Sequence, residues 1–235
     1  MTDRDYAALD LPDDGGYQPR PLGDAGSAAV SDALGLAGLD GFVKGVVPFG
    51  GERIAGRAVT LGFAPAAAGA RASDAPILAI DVIARCRPGD VVVMATGEAP
   101  AAFWGEHMVG QALAAQLGGA LVDAGVRDVR RIEESGFPVF AAGTCPRTYL
   151  GRYEAVAYNE PVTVGGLEIA PGDLVLGDAD GVVVVPVDLL DQAEAGVRRV
   201  AEIEQKAAQE LADGGDPRAI EHEVGLSFVS LAESH

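Results

Sequence analysis

From Val91 to Ala141 the chain repeats one pattern, a short apolar run followed by a helix-length segment and then the next apolar run. Val91-Val92-Val93-Met94 reads as a buried strand that follows the Pro88-Gly89-Asp90 turn and ends at Thr96-Gly97. Glu106 to Leu117 has helical spacing, and Gly118-Gly119 is the expected stop. Ala120-Leu121-Val122 is the next strand and Asp128 to Glu134 a short helix. Gly136-Phe137-Pro138 then turns into strand Val139-Phe140-Ala141. Strands and helices alternating through loops this short predict a parallel sheet with right-handed crossovers, and so an α/β fold.

The flanking segments are less regular. Residues 1 to about 24 are rich in Asp, Gly and Pro and read as a draped arm. Ala28 to Leu36 reads as a helix with Ser27 as N-cap, and Ile54 to Phe63 as a strand followed by an Ala/Gly/Pro loop. Pro76 to Cys86 has helical spacing through Ile77, Ile80, Ile83 and Ala84. Beyond Tyr153 come short strands: Val156–Tyr158, Val162–Val164, Leu167–Ile169, Leu174–Leu176 and Val182–Val185. Gly165-Gly166 forms a two-residue hairpin turn between two of them, so this half should be antiparallel or mixed. Asp188 to about Leu211 is a long helix, with Glu194/Arg198, Arg198/Glu202 and Lys206/Glu210 spaced four apart on a solvated face.

Composition narrows the function. The 235 residues carry 17 basic and 35 acidic side chains, a net charge of −18, which disfavours nucleic acid and anionic membranes as partners. No apolar run approaches the ~18 residues of a membrane helix, and the polar start Met1-Thr2-Asp3-Arg4-Asp5 lacks a signal-peptide core, so a cytoplasmic protein is expected. Cys86 and Cys145 make no CxxC pair and read as small core residues. The chain also lacks a GxxxxGK[ST] loop, a GxSxG elbow and an HExxH motif. Its two lysines, Lys44 and Lys206, lie outside the alternating unit, which argues against a Schiff-base aldolase.

That unit instead brings together a different set. Glu106 and the Arg127-Asp128 pair are separated by twenty residues, one helix and one strand, so they should project from the same sheet edge. The helix start at Gly105-Glu106-His107-Met108 offers unpaired N–H groups and a positive dipole end to a carboxylate. Arg127 adds a planar fork for a carboxylate or keto oxygen, and Asp128 a hard oxygen for Mg²⁺ or Mn²⁺. A metal and an arginine on a 2-oxo acid stabilise an enolate, the shared intermediate of retro-aldol cleavage and β-decarboxylation. Trp104 and His107 read as a packing residue and an exposed residue, respectively.

Ser31-Asp32-Ala33-Leu34, Pro88-Gly89-Asp90, Trp104-Gly105-Glu106, Gly125-Val126-Arg127-Asp128, Phe137-Pro138-Val139-Phe140 and Pro171-Gly172-Asp173 occur in an order that resembles the RraA-like family. That family includes 4-hydroxy-4-methyl-2-oxoglutarate aldolases. The resemblance runs from about Ser27 to about Leu211 and implies an α-β-β-α sandwich of the swivelling phosphohistidine-domain type, assembled as trimers or hexamers. It implies a metal-dependent class II pyruvate aldolase that also decarboxylates oxaloacetate. The alternative it carries is a non-catalytic regulator of ribonuclease, but such regulators lose the acids retained here. Carried over, Gly105, Glu106, His107, Met108 and Arg127 would bind substrate, Asp128 would ligate the metal, and Glu106 would hold water or move a proton. Asp123-Ala124-Gly125 and Arg131 depart from the usual pattern.

The resemblance further implies a glutamate from a neighbouring subunit's C-terminal helix. Leu189, Ala193, Val197, Val200, Ile203, Ala207 and Leu211 form an apolar stripe in which Glu204 falls, whereas Glu202 falls on the opposite, polar face. Glu204 is therefore the expected contributor. The expected organisation is an arm over 1–26, a catalytic domain over 27–187, and a helix and tail over 188–235 packing on a neighbour.

Overall fold

A computed structural model describes residues 21–71 and 78–232. Most of the expected arm and the start of the helix read from Pro76 lie outside the described residues. In chain order the elements are α1 (Ser27–Leu36), β1 (Phe42–Val43), β2 (Val47–Gly50), β3 (Ile54–Pro65), α2 (Ala79–Ile83), β4 (Val91–Ala95), β5 (Ala102–Trp104), α3 (Glu106–Ala114), β6 (Gly119–Val126), α4 (Val129–Ser135), β7 (Pro138–Thr144), β8 (Tyr153–Tyr158), β9 (Val162–Val164), β10 (Leu167–Ile169), β11 (Leu174–Asp178), β12 (Gly181–Val185), α5 (Leu190–Ala212) and α6 (Pro217–Ala232).

The long strand β3 joins two half-sheets. Its first residues, Ile54 to Arg57, pair antiparallel with β11, which pairs antiparallel with β12. From Ala58 to Gly62 it pairs in parallel with β4, and β4-β6-β7 continue in parallel, as the alternating pattern predicted. Strand residues alternate between faces, and here each face has its own core. Val92, Met94, Ala120, Val122, Val139 and Ala141 pack with residues of α2, α3 and α4. Their neighbours Val91, Val93, Leu121 and Phe140 instead meet Val175, Val182 and Val184 of the other half-sheet. Leu174, Leu176, Val183 and Val185 face a third cluster with Val30 and Leu34 of α1 and Leu190 and Ala193 of α5. Helices, sheet, sheet, helices: the layers are those of an α-β-β-α sandwich.

β9 and β10 form the expected hairpin, with Gly165 and Gly166 both at positive φ (58° and 82°), which suits the twist of the flanking strands. Three local expectations need correction. Ser27 is not an N-cap; Gly26 is. Ser27 opens the helix by donating its N–H and hydroxyl to Asp178 at 2.7 and 2.6 Å, a carboxylate 151 residues away doing the cap's work. The helix from Glu106 ends at Ala114, before Gly118-Gly119, because Gln116 already turns left-handed at φ 55°. Glu202 pairs with Arg199 at 3.0 Å rather than with Arg198.

The α5 stripe also divides. The first half of α5 packs on α1 of its own chain, and Ala193, Val200 and Ile203 are its buried residues after Leu190. The helix also meets α6, with Lys206 3.4 Å from Glu223, and Glu204 lies exposed in the single chain. No described helix is long and apolar enough to cross a membrane.

Candidate active site

β5 and β6 run in parallel with Trp104 opposite Val126, so their C-terminal ends open on one edge. The Arg127 N–H donates to the Trp104 carbonyl at 3.0 Å, which locks the two ends in register. β5 passes through Gly105 into α3, and β6 passes through Arg127-Asp128 into α4. The edge expected to present Glu106, Arg127 and Asp128 together therefore exists.

Asp128 adopts a left-handed conformation, φ 58° and ψ 36°. Non-glycine residues pay about 1–2 kcal/mol for it, with Asp and Asn the best tolerated. The turn has a purpose in the geometry. The Asp128 carboxylate makes no cap bond to its own helix α4. Instead its Oδ2 accepts the Glu106 N–H at 3.2 Å, at the positive end of α3, and lies 3.7 Å from the Arg127 Nε. Arg127 and Asp128 remain 43% and 42% exposed, so both are anchored yet open to a ligand.

Gly105 keeps this cluster tight. A Cβ there would lie 2.9 Å from the Asp128 Oδ2 and 3.1 Å from the Arg127 Cγ. Its φ of −170° is extended and suits any residue, so the constraint is purely steric. Gly105→Ala should push Arg127 and Asp128 out of place while leaving the fold intact. If the site is catalytic, kcat/KM should fall at least about tenfold, since a ~1 Å misplacement can cost a hundredfold. Melting temperature should stay within a few degrees, and steady-state kinetics beside a thermal scan check both halves of the expectation.

The other expected residues are placed less uniformly. The Glu106 backbone joins the cluster, but its side chain is exposed, with Arg131 at 3.9 Å as its nearest cation. Arg131 is more closely held by Glu134, at 3.1 Å. His107 is exposed and Met108 half-buried, and both line the adjoining cavity. Trp104 is 1% exposed and stacks on Phe137 with ring centroids 6.0 Å apart, the packing role expected of it. Asp123 is buried and receives N–H bonds from Thr96 and Gly97 at 2.7 and 3.1 Å, which tie the loop after β4 to β6. Burial pushes the Cys86 thiol up to about 12, in keeping with an inert packing residue. Glu204 is exposed and makes no ion pair or hydrogen bond to the described residues.

Among the described residues no group of three or more His, Cys, Asp or Glu converges as a metal cage. The donor set is one fixed, exposed carboxylate, Asp128. That fits a hard ion such as Mg²⁺, which keeps most of its water and takes further oxygens from substrate.

Beside Arg127 opens a cavity of about 250 Å³. Leu78, Phe103, Met108, Tyr149 and Leu150 supply much of its wall. Tyr149 and Leu150 arrive on the loop after β7, held by the Tyr149 N–H to the Ala102 carbonyl at 3.2 Å, and Leu78 arrives just before α2. Burial pushes the Tyr149 hydroxyl up to about 12, so it is a neutral wall and not a base near pH 7. Sequence reasoning named Met108 but missed Leu78, Tyr149 and Leu150, because no local spacing links them to Arg127.

A family model for RraA-like proteins, described as Aldolase/RraA, matches residues 27–184. A Halalkalibacterium halodurans protein provisionally named a 4-hydroxy-4-methyl-2-oxoglutarate aldolase is 32% identical over 166 residues, 68% of this chain and 72% of that protein. An uncharacterized Pseudomonas syringae protein of known structure superposes with a TM-score of 0.73 at 26% identity, over 87% of this chain and all of its own. Streptomyces coelicolor RraAS2, described as an unusual member of the RNase ES inhibitor RraA protein family, superposes with a TM-score of 0.69 at 28% identity, over 84% of this chain and 98% of its own.

Proposed function

This chain belongs to the RraA-like (Aldolase/RraA) family, and from that premise we propose that it is a divalent-metal-dependent carbon–carbon lyase that releases pyruvate. It is a class II aldolase of 4-hydroxy-2-oxo acids such as 4-hydroxy-4-methyl-2-oxoglutarate, and it decarboxylates oxaloacetate. The observation that carries this reading is the Asp128 carboxylate held on the Glu106 N–H beside Arg127, which itself lines a cavity.

Arg127 binds the 2-oxo acid end through its fork and orients the C2 carbonyl. Asp128 would hold the ion, Mg²⁺ or Mn²⁺, which when bound would supply positive charge to stabilise the enolate. The C4 hydroxyl gives up its proton, the C3–C4 bond breaks, and its electron pair moves toward C2 to form an enolate. The far half leaves as a carbonyl compound, and C3 takes a proton to give pyruvate. In oxaloacetate the same bond breaks with loss of CO₂. Glu106, exposed at the start of α3, orients water or carries the proton. A coupled assay for pyruvate across a set of 4-hydroxy-2-oxo acids and oxaloacetate tests this reading. Release from none of them would sink it.

The likeness to RraAS2 favours a second reading, a protein-binding regulator of ribonuclease on the same fold. Retention of Glu106, Arg127 and Asp128 in a cluster built around a left-handed residue supports the enzyme, since a binding surface has no need of that strain.

The active unit is a homo-oligomer, a trimer or pair of trimers, in which Glu204 completes a neighbour's site. Glu204 is exposed and has no hydrogen bond or ion pair among the described residues, which supports an available carboxylate. Asp128→Asn and Glu204→Gln proteins should each be impaired. Dissociated and reassembled together they should regain activity in roughly a quarter of the sites, by random assortment around a closed ring. Undiminished activity in Glu204→Gln alone contradicts this.

A further inference from the structure

The described lining of the cavity beside Arg127 is mostly apolar. Arg127 is the one Lys or Arg among its described lining residues. His107 and Thr148 also line it, and the rest of the wall includes Leu78, Ile80, Phe103, Met108, Tyr149 and Leu150. The wall is also rigid. Phe103 stacks on Tyr149 at 4.7 Å and 11°, and Phe63 meets both edge-on at 5.0 and 5.6 Å. Tyr153 closes the group at 5.4 Å from Phe103. With 13 aromatics in the whole chain, 1 Trp, 5 Tyr and 7 Phe, four in one cluster mark a built surface.

An acid whose carboxylate sits on Arg127 presents its other half to this wall. A second carboxylate against those apolar side chains would lose hydration and meet no described Lys or Arg, whereas a hydrocarbon group gains by leaving water. We propose that the site prefers 4-hydroxy-2-oxo acids whose far half is an apolar alkyl or aryl group over those that end in a second carboxylate. This rests on the pyruvate-lyase reading and specifies its substrate. The step stays balanced without any oxidant or reductant. The C4 hydroxyl proton leaves, the C3–C4 bond breaks, an apolar aldehyde or ketone departs, and C3 is protonated to give pyruvate.

Binding separates this preference from turnover. 2-Oxo-4-phenylbutanoate and 2-oxoglutarate share the 2-oxo acid head, differ in the tail, and lack the C4 hydroxyl that retro-aldol cleavage needs. Calorimetry on the full chain with Mg²⁺ should show the phenyl compound binding at least about tenfold more tightly, the scale of discrimination that pocket chemistry of this kind supports. Leu150 is 39% exposed, so Leu150→Arg places a cation on the wall at little risk to the fold. It should weaken the phenyl compound and tighten 2-oxoglutarate, each by about tenfold. Equal or tighter binding of 2-oxoglutarate by the unsubstituted protein overturns the proposal, as does binding of neither compound, and that comparison stands whether or not the variant folds. A parallel assay of pyruvate release from 4-hydroxy-2-oxo-4-phenylbutanoate, 4-hydroxy-4-methyl-2-oxoglutarate and oxaloacetate keeps the two claims apart. Release led by the methyl-oxoglutarate contradicts the preference alone. Release from none contradicts the lyase reading while calorimetry still decides the preference.

Discussion

Asp128→Asn should lower pyruvate release at least about a hundredfold at limiting Mg²⁺, with a melting temperature close to that of the unsubstituted protein. The backbone makes this substitution unusually informative. Asp128 sits at φ 58° and ψ 36°, where asparagine is as well tolerated as aspartate. Its amide oxygen can still accept the Glu106 N–H now held at 3.2 Å. What disappears is the negative charge, and with it the hard anionic ligand for a divalent ion. Asp128→Ala would confound the result, because alanine resists the left-handed region. Rates measured across a Mg²⁺ titration check the expectation. A rate within about threefold of the unsubstituted protein at limiting metal would remove Asp128 from the metal site.

Arg127→Lys should cost about a hundredfold in kcat/KM, or ~3 kcal/mol of transition-state stabilisation. Lysine retains the charge but loses the planar fork that spans two oxygens. The fold has little stake in the guanidinium. Its closest anion is its own neighbour Asp128 at 3.7 Å, and 43% of the side chain is exposed. The structural anchor at this position is the backbone N–H to the Trp104 carbonyl, which lysine keeps. Steady-state kinetics with oxaloacetate and a 4-hydroxy-2-oxo acid decide the matter, and a change smaller than about threefold would make Arg127 a surface residue.

Parallel strands β4, β6 and β7 were legible in the sequence because each contains an unbroken apolar run. Val91 to Met94 has no polar face, since alternate residues feed two different cores. β2 was not legible, because Pro48 argues against a strand. It is tolerated there because β2 is the outer strand beside β7. β5 is three residues long and gave no periodicity to read. The same contrast holds at the site. Spacing brought Glu106 and Arg127-Asp128 to one edge, because a helix and a strand between two parallel ends leave little freedom. The left-handed turn at Asp128 was hidden, because Asp before a helix reads as a cap. The α5 stripe carries Glu204, which the single chain leaves exposed, and periodicity alone does not say what covers it. Tyr149 and Leu150 reach the cavity by tertiary pairing alone.

The central claim is that Asp128 and Arg127 form a metal-dependent pyruvate-releasing centre. Its most direct test is continuous pyruvate detection on the full chain after EDTA treatment and dialysis, with Mg²⁺ added back stepwise. The account predicts no release above background in the stripped protein, saturable recovery with Mg²⁺, and no recovery in Asp128→Asn at the same concentrations. Release at equal rates before and after Mg²⁺ addition would contradict it.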